Sequence, residues 1–133
     1  MRAAFADTSF FVAFLSARDV DHATAANFME NFGGRIVTTD WVLAELGNFL
    51  AKSSIRNLFA SFARDLLTDS RIEILPADRE QFEAGCALYD ARADKEWSLT
   101  DCISMVIMEE RAMRDIFTAD HHFEQAGYNI LLK

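Results

Sequence analysis

Four acidic residues stand where a carboxylate is hard to explain as ordinary surface: Asp7, Glu45, Asp101 and Asp120. Asp7 falls inside residues 3–15, a run that is otherwise apolar apart from the Thr8-Ser9 pair. An unpaired carboxylate in such a run is costly to bury, so it requires a partner such as a cation. Glu45 has Trp41, Val42 and Phe49 as its i−4, i−3 and i+4 neighbours, an apolar face on a helical period. Asp101 heads a very apolar helical stretch and shares a face with Met105, Met108 and Ala112; Asp120 follows Ile116-Phe117-Thr118. Brought together, four carboxylates repel and raise one another's pKa values unless a cation sits among them. Oxygen ligands without Cys or His partners favour a hard ion, Mg²⁺ or Mn²⁺. Such an ion activates water as a nucleophile and offsets the charge that develops on a phosphodiester.

Each acid also has a purely structural reading. Asp7 can cap the helix that begins at Thr8, since Asp is among the best N-cap residues. Ser98-Leu99-Thr100-Asp101 fits a capping box, and Asp120 precedes a short helix that it can cap. Capping and metal ligation are compatible, and the joint pattern favours the site. Thr8, Ser9, Thr100 and Thr118 flank the acids and can orient them. His121 and His122 are the nearest imidazoles, but their place at the start of a short helix predicts partial exposure and no role. The phenylalanines of Phe10-Phe11 and of Phe59 with Phe62 read as core.

The elements that must position these groups alternate. Strands are predicted over 3–6, 35–38, 71–75, 115–118 and 128–132. Helices are predicted over 8–17, 21–32, 39–52, 55–67, 78–92, 100–113 and 121–126. Gly33-Gly34 reads as a C-cap signal, Ser53-Ser54 as a turn between two helices, and Phe82, Cys86 and Tyr89 as the apolar line of the fifth helix. Short strands that are apolar on both faces and alternate with helices predict an α/β fold: three layers, α/β/α, around a central, mostly parallel sheet. Sites in such sheets form beyond the carboxyl ends of the strands. Asp7 and Asp120 are expected there, with Glu45 and Asp101 on early turns of flanking helices.

Composition bounds the rest. A chain of 133 residues that is 51% apolar, with no linker, repeat or low-complexity tract, is read as one domain, 1–133. A net charge of −8 argues against nucleic-acid affinity through a broad basic surface, so metal ions or a local patch must supply positive charge. Cys86 and Cys102 have no metal-site spacing and read as reduced, core-packed thiols. Met1-Arg2 and the apolar run after them imitate a signal peptide, but Asp7 interrupts that run at a cost of roughly 2.5–3.5 kcal/mol for membrane insertion. No segment reaches the ~18 uncharged apolar residues of a membrane span. The expectation is a cytoplasmic protein without a membrane segment.

Phe5-Ala6-Asp7-Thr8-Ser9, Thr38-Thr39-Asp40-Trp41-Val42-Leu43-Ala44-Glu45, Trp97-Ser98-Leu99-Thr100-Asp101-Cys102-Ile103-Ser104 and Phe117-Thr118-Ala119-Asp120-His121-His122-Phe123 closely resemble the motifs of PIN-domain ribonucleases. They resemble most the small VapC-type toxins of toxin–antitoxin pairs and their stand-alone relatives. The resemblance runs from Ala3 to Leu132 and implies a Rossmann-like fold and a metal-dependent endoribonuclease. Asp7, Glu45, Asp101 and Asp120 would be its four acids, with Thr8 or Ser9 and Thr100 supporting the metal. It further implies a homodimer neutralised by a small antitoxin, for which an apolar surface on the helix pair spanning 39–67 is suited. Asp40 stands where many relatives carry Asn, placing an extra carboxylate near the site. Structured RNA with an exposed loop is the expected target. Lys52, Arg56, Arg64, Arg92 and Lys95 are candidate phosphate contacts, each equally readable as a solvated charge. Two other readings remain open: a receiver-like Mg²⁺-binding signalling module, and a PIN-like fold kept only for binding. The first suffers because the first strand ends in a single acid, no Asp closes the third, and only Lys133 lies late.

Overall fold

A computed structural model describes residues 2–132, and all statements below concern these. Five strands form one sheet: β1 (Ala3–Ala6), β2 (Arg35–Thr39), β3 (Ile72–Leu75), β4 (Asp115–Phe117) and β5 (Asn129–Ile130). Their order is β3-β2-β1-β4-β5, and every pairing is parallel, with Ala3 against Arg35, Phe5 against Ile116, Ile36 against Ile72 and Asp115 against Asn129. The chain therefore steps outward from β1 to β3, then returns across the sheet to β4. Right-handed crossovers put the helices of the first half on one face and those of the second half on the other, which makes three layers. The gap between β1 and β4 is the topological switch point, where α/β sheets open a crevice.

The helices are α1 (Thr8–Leu15), α2 (His22–Asn31), α3 (Asp40–Leu50), α4 (Phe59–Thr68), α5 (Arg79–Ala91), α6 (Leu99–Glu110) and α7 (His121–Gln125). A single 3₁₀ turn, Arg56–Leu58, follows the predicted Ser53 turn and leads into α4. Phenylalanines build much of the core. Phe5, Phe10, Phe11, Phe117 and Phe123 are fully buried, and Phe117 meets the rings of Phe10, Phe28 and Phe32 at about 5 Å. Phe62 is buried and Phe59 partly so, in keeping with a packing role.

Three local expectations are corrected. Gly33 and Gly34 do not take the left-handed conformation of a C-cap; α2 ends at Phe32 in extended backbone. Gly34 serves a close approach instead, because a Cβ there would lie 2.1 Å from the Arg2 carbonyl oxygen that accepts from Arg35 N–H. The helix expected to run to Met113 stops at Glu110, and Ala112 takes φ 54° with Met113 N–H bonded to the Met108 carbonyl, a Schellman ending without glycine. Ala112 is thus exposed and not on the dry face of Asp101.

The third correction is that the buried line of α5 centres on Gly85, not on Phe82, Cys86 and Tyr89; Tyr89 is 55% exposed. Gly85 lets α5 close on α6, since an added Cβ would sit 2.3 Å from Ile103 Cγ1 and 3.2 Å from its Cα. Ile103 is itself buried and cannot swing away. Gly85→Ala should therefore destabilise by about 1–3 kcal/mol despite the better helix propensity of Ala, and thermal unfolding would read this as a Tm several degrees lower. An unchanged or higher Tm would show that the two helices can separate without cost.

Candidate active site

Each carboxylate reaches the switch point by its own route. β1 ends at Ala6, and its register is closed by Asp7 N–H donating to the Phe117 carbonyl at 3.1 Å, which pins the end of β1 to the end of β4. Thr38 Oγ1 donates to the Ala6 carbonyl at 2.9 Å, so backbone polar groups here are paired. Asp7 begins α1 but makes no side-chain capping bond. Its Oδ2 accepts from Thr118 Oγ1 at 3.0 Å, while Oδ1 is buried with no hydrogen-bond partner. The structural reading of Asp7 as a helix cap therefore fails. Asp101 does cap: Ser98 Oγ accepts from its N–H at 3.0 Å and Ser98 N–H donates to its Oδ2 at 3.1 Å. Asp120 accepts from His122 N–H at 2.9 Å and so caps α7.

Carboxylate oxygens of Asp7, Asp101 and Asp120 lie within 4.8 Å of one another. Glu45 lines the same cavity, of about 350 Å³, and its Oε1 accepts from Thr8 Oγ1. The face it shares with Phe49 is not dry core, as Phe49 is 63% exposed and also lines this cavity; the buried stripe of α3 is Val42, Leu46 and Leu50. Burial, then the charge of Asp101 and more weakly that of Glu45, push the Asp7 carboxyl from 3.8 to about 7. Burial also raises Asp101, with Asp120 and Glu45 adding in the same direction. A cavity that crowds carboxylates together, one with a buried unpartnered oxygen, fits a cation whose charge would replace the missing partners.

The hydroxyls form an ordered relay. Ala119 N–H donates to Ser9 Oγ at 3.0 Å, Ser9 and Thr118 hydroxyls meet at 2.7 Å, and Thr118 Oγ1 also accepts from Asp120 N–H at 3.0 Å. With the Thr118 proton given to Asp7, Ser9 is left as the donor to Thr118. The relay thus orients Asp7 from the loop that carries Asp120. Thr100, half-buried on the first turn of α6, makes no side-chain hydrogen bond to these residues.

His121 is exposed as expected, but His122 is only 19% exposed, and its Nδ1 lies 3.1 Å from Asp101 Oδ2 and 3.3 Å from Asp120 Oδ1. Against an ionised Asp101, Nδ1 is the donor of this hydrogen bond. His122 is the residue that sequence reasoning set aside; its place two residues after an N-capping acid, aimed back over the cap, was the available signal. Asp40 is exposed and accepts from Ala77 N–H at 3.2 Å, tying down the loop after β3 and not entering the cavity. Of the candidate cations, Lys52, Arg56 and Arg64 lie outside the cavity lining; Arg92 and Lys95 line a neighbouring cleft. Cys102 is buried and Cys86 half-buried, both free. No helix among the described residues is long and apolar enough to cross a membrane.

A parallel α/β sheet with a cluster of acids at its switch point defines a class of site able to hold a metal ion. Within that class the chain belongs to the PIN domain family, whose pattern matches residues 4–128. It is 29% identical over 125 residues to the 23S rRNA-specific endonuclease VapC20 of Mycobacterium tuberculosis, covering 93% of this chain and 94% of the relative. The crystal structure of Mycobacterium tuberculosis VapC20, described as a Sarcin-Ricin loop cleaving toxin, superposes with a TM-score of 0.87 at 22% identity over 96% of this chain and 97% of that one. VapBC2 from Rickettsia felis, bound to a DNA fragment from its promoter, gives 0.66 at 16% identity over 97% and 96%. Membership of this family removes the receiver reading. β3 closes at Leu75, and Asp78 beyond it is occupied in capping α5; Lys133 lies outside the described residues.

Proposed function

We propose that this chain is an endoribonuclease of the VapC type that cleaves RNA with a divalent cation, Mg²⁺ or Mn²⁺, and acts as the toxin of a toxin–antitoxin pair. The observation that carries the reading is the convergence of Asp7, Asp101 and Asp120 around an unpartnered buried oxygen of Asp7. These three carboxylates hold the cation, and Glu45 completes the set from the facing wall. Bound there, a divalent ion offsets charge on the phosphodiester and lowers the pKa of water. Thr118, with Ser9 behind it, keeps Asp7 aimed inward, and His122 keeps Asp101 and Asp120 from swinging apart. Curated relatives that act on 23S rRNA make a structured rRNA the expected substrate class. The same kinship supports a cytoplasmic homodimer of one domain, 1–133, paired with an antitoxin, for which the exposed Phe49 and Leu58 of the α3–α4 region offer apolar contact.

The test is incubation with a structured RNA carrying an exposed loop, in Mg²⁺ or Mn²⁺ and in EDTA. Endonucleolytic cuts are expected only with metal, and Asp101→Asn, which retains an oxygen for the Ser98 cap, should slow them at least about 100-fold. Equal cutting in EDTA, or by Asp101→Asn, would sink the metal site, and no cutting under any condition would leave a PIN fold used for binding alone.

A further inference from the structure

Beside the carboxylate cavity lies a second cleft, of about 780 Å³, between the end of α5 and the loop 92–98. Ser98, the residue that caps α6 and holds Asp101, lines both. We propose that this cleft is a base-binding subsite, and that the base it takes is guanine from a nucleotide neighbouring the phosphate to be cut. The assignment rests on the nuclease reading for its place in the reaction, though the cleft's own chemistry points to the base independently.

Tyr89 lines the cleft and is 55% exposed, although it belongs to α5, which packs against α6. An exposed ring beside a cleft is a stacking platform for any base. Trp97 forms a fixed wall: it is 6% exposed, its indole N–H donates to Gln125 Oε1, and the Arg92 guanidinium covers its face at 5.1 Å. Arg92 is in turn held by two bonds to Asp94, at 2.9 and 3.0 Å, which keep it against the wall and offset its charge.

The polar rim selects among bases. Asp90 and Glu96 bring two carboxylates, against the single free ammonium of Lys95, which makes no ion pair within 4 Å among the described residues. Such a rim does not attract a phosphate. It suits a ligand that offers adjacent donors with an acceptor next to them. Guanine does so: its N1–H and N2 amine can donate to a carboxylate while O6 accepts from Lys95. Adenine and cytosine each set a ring acceptor beside the amine, and uracil offers one ring N–H between two carbonyls, so each leaves a carboxylate facing an acceptor.

The experiment titrates the four nucleoside 5′-monophosphates into the protein in EDTA, followed by NMR shifts of the Tyr89 and Glu96 amides. The phosphate is common to all four and no cleavage is involved, so the readout stands apart from nuclease activity. GMP should bind about tenfold more tightly than AMP, CMP or UMP. Tyr89→Ala should weaken it about tenfold, Tyr89→Phe should restore it, and Asp90→Asn with Glu96→Gln should erase the preference. In cleavage assays Tyr89→Ala should raise KM with kcat within twofold. Equal binding of the four nucleotides, or GMP binding indifferent to Tyr89→Ala, would overturn the subsite. GMP selectivity in a protein that cuts no RNA would keep the subsite and reject the nuclease reading.

Discussion

Asp7→Asn should abolish metal-dependent RNA cleavage, by a factor on the order of 10³ or more, and leave the metal-free protein at least as stable as wild type at pH 8. The two effects have one cause. The Asp7 carboxyl sits buried beside Asp101 with one oxygen unpartnered, and these surroundings hold its pKa at about 7 instead of 3.8. At pH 8 the folded chain carries that charge against a penalty of up to about 4 kcal/mol, the cost of ionising at about 7 a group that ordinarily ionises at 3.8. Asn has the same shape and no charge, and its carbonyl can still accept from Thr118. The substitution removes the penalty and the strongest reason for a cation to bind. Denaturation in EDTA and single-turnover cleavage measure both halves. A variant that unfolds would show that the fold needs the Asp7 charge, and one that cuts at the wild-type rate would show that this carboxylate does not hold the ion.

The second large effect is a reversal of pH dependence by metal. In EDTA, wild-type stability should fall as pH rises from about 4 to about 7. Within that window the folded chain keeps a proton on Asp7 that the unfolded chain, with its ordinary pKa of 3.8, has released, so the folded state binds more protons. Asp101, also raised, acts in the same direction. Below the ordinary carboxylate range the sign changes. Asp69, Glu73 and Asp115 are held low by hydrogen bonds from Arg71, Arg111 and Asn129 respectively, and their contribution is lost as pH drops through their folded pKa values. With Mg²⁺ or Mn²⁺ at a hundredfold excess over Kd, about 2.7 kcal/mol of stabilisation is expected at pH 8, and little at pH 5.5, because the ligands must be deprotonated to bind. Melting curves at the two pH values, with metal and with EDTA, give the comparison. The same Tm increment at pH 5.5 and pH 8 would mean that the ion binds elsewhere.

Both expectations could be framed from the amino-acid order only in part. That order places Asp7 and Asp120 directly after short apolar strands, and the strand–helix alternation requires a layered parallel sheet whose strand ends share one edge. The capping box of Ser98 and Asp101 was equally legible, since its spacing of three residues is a property of one helical turn. What depended on local chain geometry alone could go wrong by a few residues, as at Gly34 and Ala112. There the backbone conformation answers to Arg2, or to a carbonyl five residues back, and not to residue preference.

The partners that make the acids a site come from far along the chain. Thr118 reaches Asp7 across 111 positions, Thr8 reaches Glu45 across 37, and His122 meets Asp101 across 21. Asp40, inside a matched motif, turns away to the loop after β3. The parallel pairing of β1 with β4 sets the first of these distances, and the packing of α1 on α3 and of α6 on α7 sets the other two, because folding brings together segments that sequence separation holds apart. The linear order shows which residues carry charge and that they end near one sheet edge. Folding leaves one Asp7 oxygen buried without a partner, and it sets a hydroxyl relay and an imidazole against acids whose oxygens lie within 4.8 Å of one another. The reason is physical: burial and charge proximity act through space, and a linear chain states neither.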